Sequence, residues 1–317
     1  MTAKRKIQII GVLSILTLFI VLIAGELFIF LFNPQELVYP TLKTKEYFFQ
    51  YPPNSIINHE IGLHKRKYIT NNLGHRKMKI KQGNNMILLG DSFTFGVGVN
   101  DGKEWANVLQ NNTDYNIINL GMSGWGLTQQ IKRFYEVGMH LKPKAIILMF
   151  CQNDVLDNVV CPVTKIKNEE FIFEDLNFKN VKLSFLNSLV IKSQLFRFFK
   201  RQAYINKKIK ETKLLSKKQE LLYNELLSLF VKKMKKEKIN VFFISVNNFI
   251  NKKETTHLSN FKEVEKNVLR LDSLNFLTYI NSNELVRIND YIHSPVGHYS
   301  VEWNKAIGKG LAKIINK

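Results

Sequence analysis

The strongest pattern in the chain is a continuous apolar run from Ile7 to Phe32, broken only by a few small or polar residues and by Glu26, and preceded by Lys4-Arg5-Lys6. As a helix rising about 1.5 Å per residue, such a run crosses a hydrocarbon core of ~30 Å. Counting roughly 20 residues from Ile7 sets Glu26 near the outer boundary, where its charge reaches water. The run is longer than a signal-peptide core, shows no convincing small-x-small cleavage site, and is not followed by a cysteine for lipidation. It predicts a transmembrane signal anchor over residues 7–32. Residues 1–6 are then cytoplasmic and Asn33 onward is extracytoplasmic, because basic residues stay inside. A cleaved signal peptide is the alternative.

Residues 33–83 read as an irregular lead-in, with Pro40, Pro52, Pro53 and Asn-rich turns around Thr70-Asn71-Asn72-Leu73-Gly74-His75-Arg76. Beyond it, short apolar runs alternate with helical patterns. Met86–Leu89, Tyr115–Leu120, Ala145–Phe150, Asn240–Val246 and the weaker Phe276–Ile280 have the character of strands buried on both faces. Leu127–His140, Gln219–Lys236, Phe261–Leu271 and Val301–Ile315 have helical character, the last with Ala306, Ile307, Leu311, Ile314 and Ile315 on one face. This alternation predicts an α/β domain over residues 84–317, a three-layer α/β/α sandwich around a five-stranded parallel sheet. Residues 157–215 interrupt it with many lysines and seven phenylalanines and no clean strand; they predict a helical basic insertion or lid beside the site.

Charge changes this picture little. With 46 Lys and Arg against 26 Asp and Glu, the net charge is +20, compatible with nucleic acid, an anionic membrane or an acidic glycan as neighbour. No zinc finger, aromatic single-strand-binding motif or basic heptad helix is present, so nucleic acid is not expected as a partner. Two cysteines, Cys151 and Cys161, make neither a disulfide framework nor a metal site; they pair or stay free. The oligomeric state is not encoded in any pattern.

In an open parallel sheet, ligands bind beyond the carboxyl ends of the strands. The first apolar run leads there into Gly90-Asp91-Ser92-Phe93-Thr94-Phe95-Gly96, the second into Gly121-Met122-Ser123-Gly124-Trp125-Gly126, the third into Cys151-Gln152-Asn153-Asp154. Gly297-His298-Tyr299-Ser300 precedes the final helix, with Ser300 as its N-cap. A serine attacks a carbonyl only if a base takes its proton, and the oxyanion needs donors fixed in advance.

This set resembles the SGNH hydrolases, the GDSL-like esterases, from about Asn72 to the C-terminus. The stretch Gly90-Asp-Ser-Phe-Thr-Phe-Gly-Val-Gly-Val with Trp105, and the lead-in Asn72-Leu-Gly-His-Arg76, are similar to one membrane-anchored branch. The resemblance implies an SGNH, flavodoxin-like fold and Ser92 as nucleophile. It also implies an oxyanion hole from the N–H groups of Ser92 and Gly124 and the amide of Asn153, with Gly121 and Gly126 competing for the glycine's place. His298-Tyr-Ser-Val-Glu-Trp-Asn304 matches the family's final block, except that Trp303 replaces a glycine, and implies His298 as base. His293, in Asp290-Tyr-Ile-His293, is the rival. Where the family places an Asp shortly before the histidine, this chain has Pro295 and Val296. The acid is therefore left open between Asp290, a backbone carbonyl and none. Asp91 and Asp154 are expected to be structural. His59, His64, His75, His140 and His257 are expected at the surface, with no metal and no cofactor.

The expected function is a membrane-anchored serine hydrolase that cleaves an ester through a Ser92 acyl-enzyme, on a cell-envelope glycan or lipid. An O-acyltransferase acting on envelope polysaccharide is the alternative, and a non-catalytic envelope-binding protein the second alternative.

Overall fold

The computed structural model describes residues 2–177, 192–245, 261–281, 285 and 298–317. The chain divides into two compact units.

The smaller unit comprises Met1–Leu37, Glu60–Lys65 and Val181–Glu211. Its main element is α1, Ala3–Phe32, a 30-residue helix with a mean hydropathy of 2.8 in its most apolar window and none of that window buried. It is long and apolar enough to cross a membrane.

The larger unit is built on a five-stranded sheet. Its strands are β4 (Asn85–Gly90), β5 (Asn116–Asn119), β6 (Ala145–Phe150), β9 (Asn240–Ser245) and β10 (Thr278–Asn281), in the order β10-β9-β6-β4-β5 and all parallel. The two central strands are almost wholly buried, which is why they are written as unbroken apolar runs. Alternate residues serve opposite faces. Ile87, Leu89, Ile146, Leu148 and Phe243 pack with α4 (Leu127–Arg133), α6 (Gln194–Lys236) and α7 (Lys262–Ser273). Met86, Leu88, Ala145, Ile147 and Met149 pack with α3 (Trp105–Asn111) and α8 (Val301–Ile315). The three-layer sandwich follows from these two cores. The remaining short helices, α2 (Ser92–Phe95) and α5 (Gln152–Val160), start directly after β4 and β6.

Several expectations need correction. The lead-in is not irregular throughout: it holds a three-stranded sheet of β1 (Leu37–Tyr39), β2 (Ile56–Ile61) and β3 (His64–Ile69). Its inward positions include a polar pair, His59 and Tyr68, whose ring nitrogen and hydroxyl lie 2.5 Å apart, so no apolar alternation marks the strands. His59 and His75 are accordingly buried, whereas His64 and His140 are exposed as expected; His257 lies outside the described residues. The insertion contains a hairpin of β7 (Thr164–Lys167) and β8 (Glu170–Phe173). Its turn residues Asn168 and Glu169 both take positive φ, 52° and 59°, without the glycine that usually announces such a turn. The helical part of the insertion is the start of α6, which begins at Gln194 rather than Gln219.

The expected helix Leu127–His140 is also divided. After α4 it widens to a π-turn over Phe134–Gly138 and tightens to a 3₁₀ turn over Met139–Leu141. A Cβ at Gly138 would lie 2.7 Å from the Phe134 ring, so the turn depends on that glycine. Both cysteines are buried free thiols.

Candidate active site

The site stands at the carboxyl ends of β4, β5 and β6. Leu88 and Leu89 anchor β4 in the two cores, and Gly90 then lets the chain pass under Thr94: a Cβ there would be 2.1 Å from the threonine hydroxyl. Asp91 caps α2, accepting from the Phe93 N–H at 2.9 Å, and Ser92 is the first residue of that helix.

Across from it, the hydroxyl of Ser92 lies 2.8 Å from Nε2 of His298, in position to donate its proton. Five contacts hold the histidine's segment. Phe93 packs against His298 and Tyr299, with ring centroids 4.9 and 4.6 Å apart. Ser300 caps α8 by accepting from the Trp303 N–H at 3.2 Å, as expected. The buried amide of Asn304 accepts from the Trp105 N–H at 2.8 Å and donates to the Ser300 carbonyl at 2.9 Å. Trp105 in turn donates its indole N–H to the Phe93 carbonyl at 3.0 Å. Nucleophile loop, α3 and α8 thus form one buried polar relay. Trp303, where the resemblance expects a glycine, is buried against Tyr299. His293 and Asp290 lie outside the described residues.

The loop after β5 carries Gly124. Its backbone joins the nucleophile strand where the Met122 N–H donates to the Gly90 carbonyl at 3.2 Å. The three competing glycines have different physical reasons. A Cβ at Gly121 would meet Thr94 at 2.6 Å, and one at Gly126 would meet Asn158 at 2.6 Å, so both are packing glycines. Gly124 has open space around it and a φ of +71°, so it is the backbone turn that requires glycine there.

Asn153 lies in the first turn of α5, after β6. Its amide donates to Asp157 at 2.9 Å and favours the charged form of Asp91, the residue beside the nucleophile. Beneath lies a buried acidic group. Asp154 accepts from the Cys151 N–H at 3.0 Å; burial, reinforced by the charge of Asp91, raises its pKa well above its ordinary value. Burial pushes Asp91 up to about 6, against the pull of the Phe93 N–H and the Asn153 amide. Both aspartates accept backbone N–H groups beside the site, the arrangement expected of a structural role.

A pH dependence follows. A carboxyl raised from its ordinary 3.8 to about 6 contributes stability that is complete below 3.8 and is lost as the pH rises through 6. For Asp91 this is worth up to about 3 kcal/mol. Urea unfolding at pH 4 and pH 7 is expected to show the fall in the native chain and a flatter dependence in D91N. Equal slopes in the two proteins would remove Asp91 from the account.

Sequence reasoning missed the part played by the lead-in. Asn71, not Asn72, closes its turn, accepting from the N–H groups of Leu73 and His75 at 2.9 and 3.1 Å. His75 sits 3.2 Å from the Gly121 carbonyl; burial, then the charge of Arg133, lowers its pKa to about 3, so it is neutral and donates through Nδ1. Arg76 donates to the carbonyls of Gly96 and Val99 at 3.3 and 3.0 Å. Two adjacent residues thus hold the loop after the nucleophile and the loop after β5. Only the Gly74-His75-Arg76 run itself hinted at this.

The chain is thus an α/β protein that sets a serine–histidine pair at the carboxyl edge of a doubly covered parallel sheet. The model of the GDSL-like lipase/acylhydrolase family matches residues 86–310, and the chain belongs to that family. Solved structures of similar fold include an acetyl-xylooligosaccharide esterase from Geobacillus stearothermophilus, at 13% identity, covering 76% of this chain and 97% of that one with a TM-score of 0.47. A member of the lipolytic G-D-S-L family from Veillonella parvula matches at 13% identity, 74% and 100% coverage and a TM-score of 0.46. The psychrotrophic esterase EstA from a Pseudoalteromonas species matches at 13% identity, 74% and 97% coverage and a TM-score of 0.43. No curated protein matches the chain.

Proposed function

We propose that this chain is a membrane-anchored serine esterase whose catalytic unit faces the cell envelope. The observation that carries the reading is the 2.8 Å approach of the Ser92 hydroxyl to Nε2 of His298. In the neutral tautomer with its proton on Nδ1, His298 accepts the serine proton as Ser92 attacks an ester carbonyl. The oxyanion then takes donors from the N–H groups of Ser92 and Gly124 and from the Asn153 amide, which exchanges its bond to Asp157 for the new acceptor. His298 returns the proton to the leaving alcohol, and water attacks the acyl-enzyme by the same path in reverse.

An ester on a cell-envelope glycan or lipid suits an enzyme held at the membrane. Anchoring by an uncleaved α1 is supported by its use as structure: Glu26 accepts from Ser193 Oγ at 2.8 Å and from the Leu195 N–H at 2.9 Å, contacts that removal of a signal peptide would abolish.

The test is turnover of short p-nitrophenyl esters by the full-length protein in detergent, with fluorophosphonate labelling of Ser92. Asn153→Ala is expected to lower kcat by about 10²–10³ with a smaller change in KM, the signature of a donor used mainly in the transition state. Failure of the fluorophosphonate to label the folded protein would overturn the hydrolase reading.

A further inference from the structure

We propose that the first turns of α6, from Gln194 to Ala203, lie on the outer surface of the bilayer and are pinned there by Glu26 of α1. The proposal rests on α1 spanning the membrane.

Glu26 would be an isolated charge on an apolar helix, and it is not left so. It takes the hydroxyl of Ser193 at 2.8 Å and the backbone N–H groups of Gln194 and Leu195 at 2.5 and 2.9 Å. These are donors that the start of a helix leaves without intrahelical partners, and a carboxylate is the acceptor such a terminus favours. A second link closes the clamp: the side-chain oxygen of Gln194 accepts from the Gln35 N–H at 2.6 Å. Leu195 packs on α1 beside Gly25, its side chain within ordinary van der Waals reach of where a Cβ would stand. The two helices therefore meet at the level of Glu26, near the outer edge of the hydrocarbon.

At that level α6 shows a surface unsuited to water alone. Phe196 and Phe199 are 41% and 62% exposed. At 100° per residue they share a sector of about 100° with the exposed Lys200 and Ala203. The sector adjoins Leu195, which packs on α1, so it continues the lipid-facing surface of α1. Of the exposed basic residues nearby, Lys200 lies within the sector, Lys192 just before the start of α6 and Arg201 well beyond the sector's edge. Aromatic rings flanked by basic residues are the composition of a helix lying in the interface of an anionic leaflet. The occupant of this face is the bilayer that holds α1.

Spin labels test this, since Cys151 and Cys161 are buried and leave introduced cysteines as the reactive ones. F199C, F19C and I80C are prepared in the full-length chain, Ile80 being 95% exposed on the larger unit. The proteins are reconstituted in vesicles of phosphatidylcholine with phosphatidylglycerol. Power saturation then compares accessibility to oxygen, which concentrates in lipid, and to a water-soluble nickel chelate. The label at 199 is expected to resemble that at 19, oxygen-accessible and protected severalfold from nickel, while that at 80 is nickel-accessible. A label at 199 that behaves like 80 while 19 stays in lipid overturns the proposal and leaves the anchor standing. Labels at both 19 and 199 that meet nickel overturn the anchor reading itself. A label at 199 that is nickel-accessible in vesicles and immobilised only by added acidic polysaccharide overturns the proposal in favour of a glycan-binding face.

Discussion

Ser92→Ala is expected to lower ester turnover by about 10⁴- to 10⁶-fold and to abolish fluorophosphonate labelling, with an unchanged unfolding midpoint. Ser92 is the first residue of α2 and its hydroxyl is used outward, toward His298, while the helix is capped by Asp91. Removing the oxygen therefore takes away the proposed nucleophile and leaves the cap in place. His298→Ala is expected to cost nearly as much, and the double variant no more than the worse single one, because the two groups act in one proton transfer. Residual rate in all three comes from oxyanion donors and substrate binding. Ser92→Ala that keeps native turnover would sink the nucleophile assignment. Full activity in His298→Ala would return the base to His293 and move the C-terminal block out of register.

The sheet was legible because its physics is written locally. β4 and β6 are covered on both faces, so they must be apolar throughout, and Gly90 ends the first of them where the chain turns into the site. Helix α8 begins and ends where its periodicity and Ser300 place it. What was illegible depended on pairing across the chain. The strands of the lead-in bury a histidine against a tyrosine, and β7–β8 turns on Asn168-Glu169; neither shows the alternation or glycine that would announce it. The extra turns of α6 carry lysines at a density that reads as solvated surface, and their meaning rests on Glu26, more than 160 positions earlier. In the candidate site, Ser92, Gly124, Asn153 and His298 were expected from strand ends and from the family resemblance, and the structure brings Ser92 and His298 together. The supports did not. Asn304 holds Trp105 across 199 positions, and His75 reaches Gly121 across 46. No local pattern encodes such partners.

Arg76 is the support whose loss should matter most. It is fully buried, its guanidinium 4.5 Å from the Tyr68 ring centroid and 5.5 Å from that of Phe95. Its charge meets Asp101 at 2.7 Å and the buried Glu104 at 3.5 Å, while its remaining donors hold the Gly96 and Val99 carbonyls. Burial already raises the pKa of Glu104, with Arg76 pulling the other way. Arg76→Met keeps much of the apolar volume and strands that carboxyl without its counter-charge. Breaking one side of a buried pair costs about 3–5 kcal/mol, a large share of the stability of a typical domain. The expected result is a lower urea midpoint at pH 7, partly restored by Glu104→Gln in the same chain because the stranded charge is gone. Arg76→Lys should fall between, since one ammonium cannot reproduce a planar fork over two rings and two carbonyls. Activity of folded Arg76→Met should fall through kcat more than KM, because the freed Gly96–Glu104 loop directly follows α2 and Ser92 at its start. A midpoint within about 0.5 kcal/mol of the native chain, the range of ordinary surface substitutions, would show that the loop is held by its own packing and not by Arg76.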